Sequence, residues 1–353
     1  MTPRNARDRR RATPVASDAH ARCESPRRGG FRLRRHDSPS RRDDSRPRWA
    51  AWRLWRRSSR PRREGFGRSC QPRRVTRGGF PPASAGRAAA VVFLVIVALS
   101  AVGADVIAPF DPLEQEVGRR LAPPSREHFF GTDGFGRDVF SRTLHGARVS
   151  LGVAIAAVVL AGVAGTGIGL TSAYAGGPFD LIVQRGVDVF LGFPFLVMAL
   201  IVVVALSPTP LAVALAIALS LFPLITRVAR AAALSVANEE YLTVVRSTGA
   251  GPSRIILRHL LPASAPPIIA YLATGLGTAV GAEATMSFLG LGVPPPYPSW
   301  GRMLQEGSRA YFDAAPWVTL LPGLVLCLTV VSLVATGGGT AAWLDGRRRG
   351  PRV

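Results

Sequence analysis

The sequence contains no lysine, so all 44 of its basic residues are arginine. A phosphate-binding loop of the nucleotide-hydrolysing type uses a lysine to reach the β- and γ-phosphates. The absence of lysine therefore excludes ATP hydrolysis by such a loop. Only three cysteines occur, Cys23, Cys70 and Cys327, and their spacing matches neither a zinc site nor a disulfide framework. The five histidines are scattered. We therefore predict no catalytic residue, no cofactor-binding residue and no metal ligand.

Hydrophobic residues make up 48% of the chain and occur in runs of about twenty, the length of helix that crosses a bilayer core. Several such runs predict an all-α polytopic membrane protein. The boundaries of the six predicted transmembrane helices are approximately 88–108, 150–174, 189–206, 211–228, 263–289 and 317–343.

The basic charge is concentrated in residues 1–87, where 26 arginines and seven acids account for +19 of the formal net charge of +22. This region lacks an apolar period and is expected to be a disordered cytoplasmic extension. Attraction to anionic lipid and binding of nucleic acid are two functional alternatives. A start site assigned too far upstream is a third explanation. Residues 347–353 form a second, short basic tail.

Six spans place both termini on the same side of the membrane, and the positive-inside rule makes that side cytoplasmic. The polar segment 230–262 then lies in the cytoplasm as well. The loop 111–149 is expected outside, although it contains six arginines beside six acids.

The segment 238–262 is a polar island between two apolar runs. Asn238 is suited to cap a first short helix, and Gly249 supplies the left-handed residue that ends it. Pro252 is suited to the first position of a second short helix, and Pro262 is expected to end that helix. The pattern predicts a helix pair outside the hydrocarbon layer, in a position where a partner protein can bind it.

Glycines recur inside two of the apolar runs. Gly165, Gly167 and Gly169 resemble a dinucleotide-binding fingerprint only superficially, because no strand precedes them. Small residues within a membrane helix instead favour close helix packing. Gly277 and Gly281, four residues apart in the fifth span, are of the same kind.

Glu283 is an ionisable residue inside the fifth span, where a charge is costly. Two interpretations stay open. The first is a functional position, beside a path through the bundle or at an interface with a second subunit. The second is a structural position, with a hydrogen bond between helices or a location near the outer membrane interface.

Several motifs now point to one family. The sequence resembles the dipeptide/oligopeptide/nickel group of bacterial ABC importer permeases over approximately residues 88–346. The resemblance rests on Gly-Thr-Asp-x-x-Gly-Arg-Asp-x-x-Ser-Arg at 131–142, Gly-Ala-Arg-Val-Ser-Leu at 146–151, Ser-Phe-Leu-Gly-Leu-Gly at 287–292, and Pro-Ser-Trp-Gly at 298–301. Of the two permeases such importers use, the chain is similar to the second, C-type subunit.

The resemblance implies a subunit of the bacterial inner membrane that forms a path for peptides or a related small solute. Implied partners are a homologous second permease, two ATP-binding subunits that use the ATP, an extracytoplasmic solute-binding protein and the lipid membrane. The implied ATPase-coupling residues are Glu240, Thr243, Gly249, Ala250, Arg254, Arg258, Leu261 and Pro262. A rigid external loop is expected to include Gly131, Asp133, Gly136, Arg137 and Asp138.

The chain departs from the family pattern in two places. Thr243 stands where the family has a glutamate, and residues 334–342 lack the usual motif after the last span. A divergent copy with altered coupling is therefore one alternative. Two others are a membrane-anchored nucleic-acid-binding protein that uses residues 1–87, and an ion-coupled secondary carrier that uses Glu283.

Overall fold

A computed structural model describes the backbone of residues 83–237, 239, 242, 245, 247 and 249–348. All of these residues belong to one unit, Thr76–Val353. Within them, all regular structure is helical and no strand occurs, apart from an isolated bridge between Thr132 and Asp138. The predicted all-α class is thereby confirmed. The predictions for residues 1–82 and 349–353 lie outside the described residues.

Ten α-helices are described, together with a 3₁₀ turn at Val117–Arg119 and a π turn at Ile256–Leu260. In chain order the α-helices are α1 Ala83–Val102, α2 Ala104–Ile107, α3 Val139–Ala175, α4 Gly177–Leu191, α5 Phe195–Leu206, α6 Pro210–Ala237, α7 Pro252–Ile255, α8 Leu261–Phe288, α9 Trp300–Ala310 and α10 Trp317–Arg348.

Four helical segments of the described chain are long and apolar enough to cross a membrane: α3, α6, the continuous run from α7 to α8, and α10. The pair α4–α5 makes a fifth if it is counted as one broken span. The apolar part of α1, Gly86–Val102, is shorter. Each of the six predicted spans thus contains helix, but the helices differ in length and continuity.

The predicted third span, 189–206, is not one helix. The α4 helix ends at Leu191, and α5 starts at Phe195 with its axis bent by 88°. The break contains Pro194, which has no N–H for an intrahelical bond and disfavours helical backbone in the residue before it. The segment before the break, Gly177–Leu191, therefore forms a helix of its own.

Pro262 does not end the second short helix of the 238–262 segment, contrary to the prediction. The chain runs from α7 through the π turn at Ile256–Leu260 directly into α8. The Leu261 N–H donates to the Ile256 carbonyl oxygen, five residues back. A wider turn at this point is a local adjustment that lets a helix continue through a residue lacking an N–H.

The α3 and α6 helices form the most extensive helix pair of the bundle. Gly165 and Gly169 lie in their interface, where a Cβ atom would come within 2.9 Å of Ile225 and 2.6 Å of the Thr226 carbonyl oxygen, respectively. A Cβ atom on Gly167 would meet nothing within 4 Å. The predicted use of glycine for close packing is confirmed for the first two positions.

Arg148 of α3 holds the end of α1. Its Nε donates to the Ala101 carbonyl oxygen and its terminal nitrogen to the Val102 carbonyl oxygen, both at 2.9 Å. These carbonyls lie in the last turn of α1, where no further helical N–H groups can reach them. Arg148 also pairs with Asp105 of α2 at 2.9 Å, so one side chain attaches both elements to α3.

Candidate functional site

The polar segment 238–262 packs against the ends of two long helices through its apolar side chains. Leu242, Ile255 and Leu260 are each 1% exposed. They share one cluster with Leu170 and Ala173 of α3, and with Ala233 and Val236 of α6. The segment is therefore held firmly to the bundle on its inner side.

Gly249 separates the two parts of this segment. Its backbone has φ +76°, in the left-handed region that glycine adopts without steric cost, as predicted. A Cβ atom here would meet nothing within 4 Å, so backbone conformation rather than space requires glycine. Gly251 offers a contrast, because its space is equally open but its φ of −65° suits any residue.

The outward side of α7 and the π turn carries charge. Arg254 and Arg258 are exposed, and Leu257 between them is 65% exposed. Neither arginine makes an ion pair with any residue in the described part of the chain. An apolar inner face and a basic outer face at one end of the bundle are suited to docking a separate protein.

The other predicted coupling residues have different environments. Ala250 and Leu261 are half-buried against the same apolar cluster, and Pro262 is exposed. Glu240 and Thr243 lie outside the described residues. The assignment of all these residues to coupling stays a prediction.

The opposite end of the bundle, about 55 Å away along the 37 residues of α3, carries two packed loops. Gly131 and Gly136 have φ values of +72° and +78°. A Cβ atom on Gly136 would lie 2.0 Å from the Glu116 carbonyl oxygen. Both conformation and close approach therefore require glycine in the predicted rigid loop.

The charged residues of this loop pair as follows. Arg137 donates from Nε to Asp133 Oδ2 at 2.7 Å, as predicted. Asp138 does not pair with either residue. It instead caps α3 by accepting from the Ser141 N–H at 2.7 Å, and it bonds the buried His128 ring at 2.9 Å.

A second part of this charge network was not predicted. Arg142 is 1% exposed, and its guanidinium lies 3.3 Å from Glu306 of α9 and 3.6 Å from Asp133. Glu306 also accepts from Arg302 Nε at 3.0 Å. Arg142 and Glu306 are 164 residues apart in sequence, so sequence spacing could not have predicted that they pair.

Glu283 is fully buried within its own chain. Ser287 donates to its Oε1 at 2.7 Å, and the hydroxyls of Ser150 and Ser299 lie beside the same carboxyl group. Its Oε2 has no hydrogen-bond partner within the described part of the chain. The hydrogen bond from Ser287 lies within α8, and both interpretations of Glu283 stay predictions.

Trp300 occupies the same region at the start of α9. Its side chain is fully buried, and its indole Nε1–H donates to the Thr143 carbonyl oxygen of α3 at 3.0 Å. Its neighbour Gly301 packs so closely on α8 that a Cβ atom would lie 2.3 Å from the Ala284 carbonyl oxygen. The motif at 298–301 thus seats α9 against the ends of α3 and α8.

Comparison with known proteins gives consistent matches. The family model for the "binding-protein-dependent transport system inner membrane component" matches residues 165–350. The chain is 38% identical over 259 residues to a dipeptide transport system permease protein, DppC, of Alkalihalophilus pseudofirmus, covering 72% of this chain and 85% of that protein. A di/tripeptide permease of Pseudomonas aeruginosa is 35% identical, covering 74% and 88%. A glutathione permease of Escherichia coli, GsiD, is 36% identical, covering 74% and 86%.

Proposed function

The chain belongs to the family of binding-protein-dependent transport system inner membrane components, as a permease subunit of an ABC importer, and we propose that it carries short peptides and is driven through residues 238–262. It is not itself an enzyme, because the ATPase of such importers is a separate subunit. This division of labour agrees with the absence of lysine.

The proposed solute class rests on the relatives. The three permeases described above are named for dipeptides, for di- and tripeptides, and for glutathione. All of these solutes are short peptides or close analogues. The chain spans at least 85% of each relative, so the likeness extends through nearly the whole permease.

The two-faced segment at 238–262 carries the coupling proposal. Leu242, Ile255 and Leu260 fix it to α3 and α6, while Arg254 and Arg258 face outward. A rigid element held in a groove of an ATPase subunit passes rigid-body motion to the helices behind it. The outward arginines are suited to an acidic rim on that groove.

The complete importer would contain a homologous second permease, two ATP-binding subunits and an extracytoplasmic solute-binding protein. Both termini and residues 238–262 would face the cytoplasm, and the loops containing Gly131 and Trp300 would face the binding protein. This arrangement is supported by the six spans expected from the sequence, an even number, and by the location of the two regions at opposite ends of α3.

Gly249 and Gly251 offer a matched test of coupling. An alanine in place of Gly249 would have to adopt the left-handed conformation of this position, which costs about 1–2 kcal/mol. Proline is incompatible with the position because its φ is fixed near −65°. Alanine at Gly251 keeps the φ of −65°. We expect Gly249→Pro to abolish co-purification of the ATPase subunits, Gly249→Ala to weaken it, and Gly251→Ala to retain it.

Uptake of a radiolabelled dipeptide should fall in the same order. The amount of permease in the membrane serves as the control for folding. Full ATPase binding and full uptake by Gly249→Pro would refute docking through this segment. Equal losses in both alanine variants would show that the left-handed conformation is not the feature that matters.

A further inference from the structure

One ion pair joins α4 to α6. Arg230 donates from Nε to Asp180 Oδ1 at 2.6 Å and from a terminal nitrogen to Asp180 Oδ2 at 2.5 Å. This two-bond arrangement fixes the relative orientation of the two side chains as well as their distance. The carboxylate is 15% exposed and the guanidinium 30% exposed, so water screens the pair only in part.

The pair is also tied to α3. Ser172 donates to Asp180 Oδ1 at 2.5 Å, and the Gln184 side-chain amide donates to Ser172 Oγ at 3.2 Å. We call these four residues, Ser172, Asp180, Gln184 and Arg230, the α4 clamp. They belong to three helices, so α4 is fastened where α3 and α6 meet.

Apart from the clamp, α4 contacts α6 through an edge contact between the Phe190 and Phe222 rings, 6.3 Å apart, and through an exposed Arg227–Asp188 pair. Among its fifteen residues, all of which are described, only Val187 is buried. Phe179, Ile182 and Val189 are at least half exposed. Apolar contact with the rest of the chain is limited, so the clamp is the least exposed polar attachment of α4 to α6.

The helix on the other side of the clamp leads directly into the proposed coupling segment. Arg230 lies two turns before the end of α6 at Ala237, and Val236 of α6 shares an apolar cluster with Leu242 of that segment. Ser172 likewise stands beside Ala173, a member of the same apolar cluster. Both anchors of the clamp are thus on the helix ends to which the segment is fixed.

At its far end, α4 meets the 88° bend at residues 192–194 that leads into α5. We infer that the Asp180–Arg230 pair is a positioning element for transport: it makes α4 follow the end of α6, so that displacement of residues 238–262 reaches α5 through the bend. This inference rests on the proposed coupling function of residues 238–262, and it adds a route from that segment into the membrane.

A second pair between the same helices provides the comparison. Arg227 bonds Asp188, but the side chains are 52% and 40% exposed. Exposed ion pairs contribute little because water screens them and long side chains lose freedom on pairing. Asp188→Asn is therefore the control for Asp180→Asn. Both substitutions remove the charge of an aspartate of α4 that pairs with an arginine of α6, but Asp188 is not part of the clamp.

The test uses the complete importer reconstituted in vesicles, with its ATPase subunits and binding protein. We expect Asp180→Asn and Arg230→Gln to bind the ATPase subunits normally but to import about tenfold fewer dipeptides per ATP hydrolysed. Asp188→Asn should keep the parental ratio. The exchange Asp180→Arg with Arg230→Asp should recover part of the ratio, because it restores the pair.

The possible results separate the two proposals. A parental import-to-ATP ratio in Asp180→Asn would overturn the clamp and leave coupling at residues 238–262 intact. Loss of ATPase binding in Asp180→Asn would also overturn it, because the residue would then act on docking. If Gly249→Pro retains ATPase binding, coupling through residues 238–262 fails independently of the clamp.

A distance measurement covers the case in which the substitutions reduce expression. Spin labels on Ile182→Cys of α4 and Leu224→Cys of α6 are introduced after Cys23, Cys70 and Cys327 have been replaced. Both labelled positions are exposed, at 70% and 41%. With the clamp intact, the distance should stay narrow and unchanged when ATP is added. Adding Asp180→Asn should broaden it, and an unchanged distribution would refute the inference.

Discussion

Replacement of Gly169 by alanine should separate α3 from α6. The Cβ atom would lie 2.6 Å from the Thr226 carbonyl oxygen, 2.8 Å from the Ala229 Cβ atom and 3.0 Å from the Arg230 nitrogen. Two of these atoms belong to the α6 backbone, so no side-chain rotation relieves the contact. Gly167, half a turn away on the same helix, has nothing within 4 Å of the corresponding position.

The size of the effect follows from these distances. Ordinary contact begins near 3.4 Å, so the nearest contact is about 0.8 Å too short and the helices must shift. Forcing an extra methyl group into a close-packed interface costs about 1–3 kcal/mol. Both substitutions gain the same helix-propensity term of about 1 kcal/mol, because both convert glycine to alanine inside a helix. The difference between the variants therefore isolates the clash.

The assay is thermal inactivation of the detergent-purified permease, followed by size-exclusion chromatography of the protein that stays monodisperse. We expect Gly167→Ala to inactivate at the temperature of the parent or above it, and Gly169→Ala at a lower temperature than Gly167→Ala, in the direction set by a clash that costs about 1–3 kcal/mol. Because unfolding of such a protein is irreversible, the two variants are compared at one heating rate.

Equal stability of the two alanine variants would refute the reasoning. It would mean that the α3–α6 interface accepts a methyl group without cost, and hence that the helices are not held at this separation. Gly165→Ala provides a second measurement in the same interface. Its nearest contact would be the Ile225 side chain at 2.9 Å, which can adjust in part, so its loss of stability should be smaller than that of Gly169→Ala.

Two further predictions concern the other end of the bundle. Trp300→Phe removes the indole donor to the Thr143 carbonyl oxygen and should lower stability by about 1–3 kcal/mol. Tyr297→Phe, at an exposed position, should leave stability unchanged. Thermal inactivation of both variants checks this prediction. Asp105 of α2 pairs with Arg148 at 2.9 Å and lies 3.2 Å from His145 Nε2, so an Asp105→Asn variant should lose part of the attachment of α2 to α3. Thermal inactivation should show only a small loss of stability in Asp105→Asn, because the pair is exposed to water, and a loss as large as that of Trp300→Phe would contradict the prediction.

The membrane class and the family were readable from local pattern. Runs of about twenty apolar residues leave few alternatives to spanning helices, because hydrocarbon offers no partners for backbone N–H and carbonyl groups. The motifs at 131–142 and 298–301 identified the family, whose membership the sequence comparisons confirm. The left-handed Gly249 was also predictable, because only glycine adopts that conformation without cost.

Continuity of helices was harder to predict. Proline predicts an interruption, but its effect depends on the surrounding backbone. Pro194 accompanies an 88° bend, whereas Pro262 follows a π turn and the helix continues into α8. Proline thus accompanies a break inside one predicted span, and it lies within a continuous helix at a place where the sequence predicted a helix end.

The sequence by itself determined that this chain is a helical membrane protein, which positions need glycine backbone, and where the polar segment lies between spans. These properties depend on residues close together in the chain. The tertiary structure decided which charges meet: Arg142 with Glu306, and Asp180 with Arg230. Such pairs join residues 50 or more positions apart, and several arginines could have served each acid. Only helix packing, fixed by close contacts such as that of Gly169, selects among them.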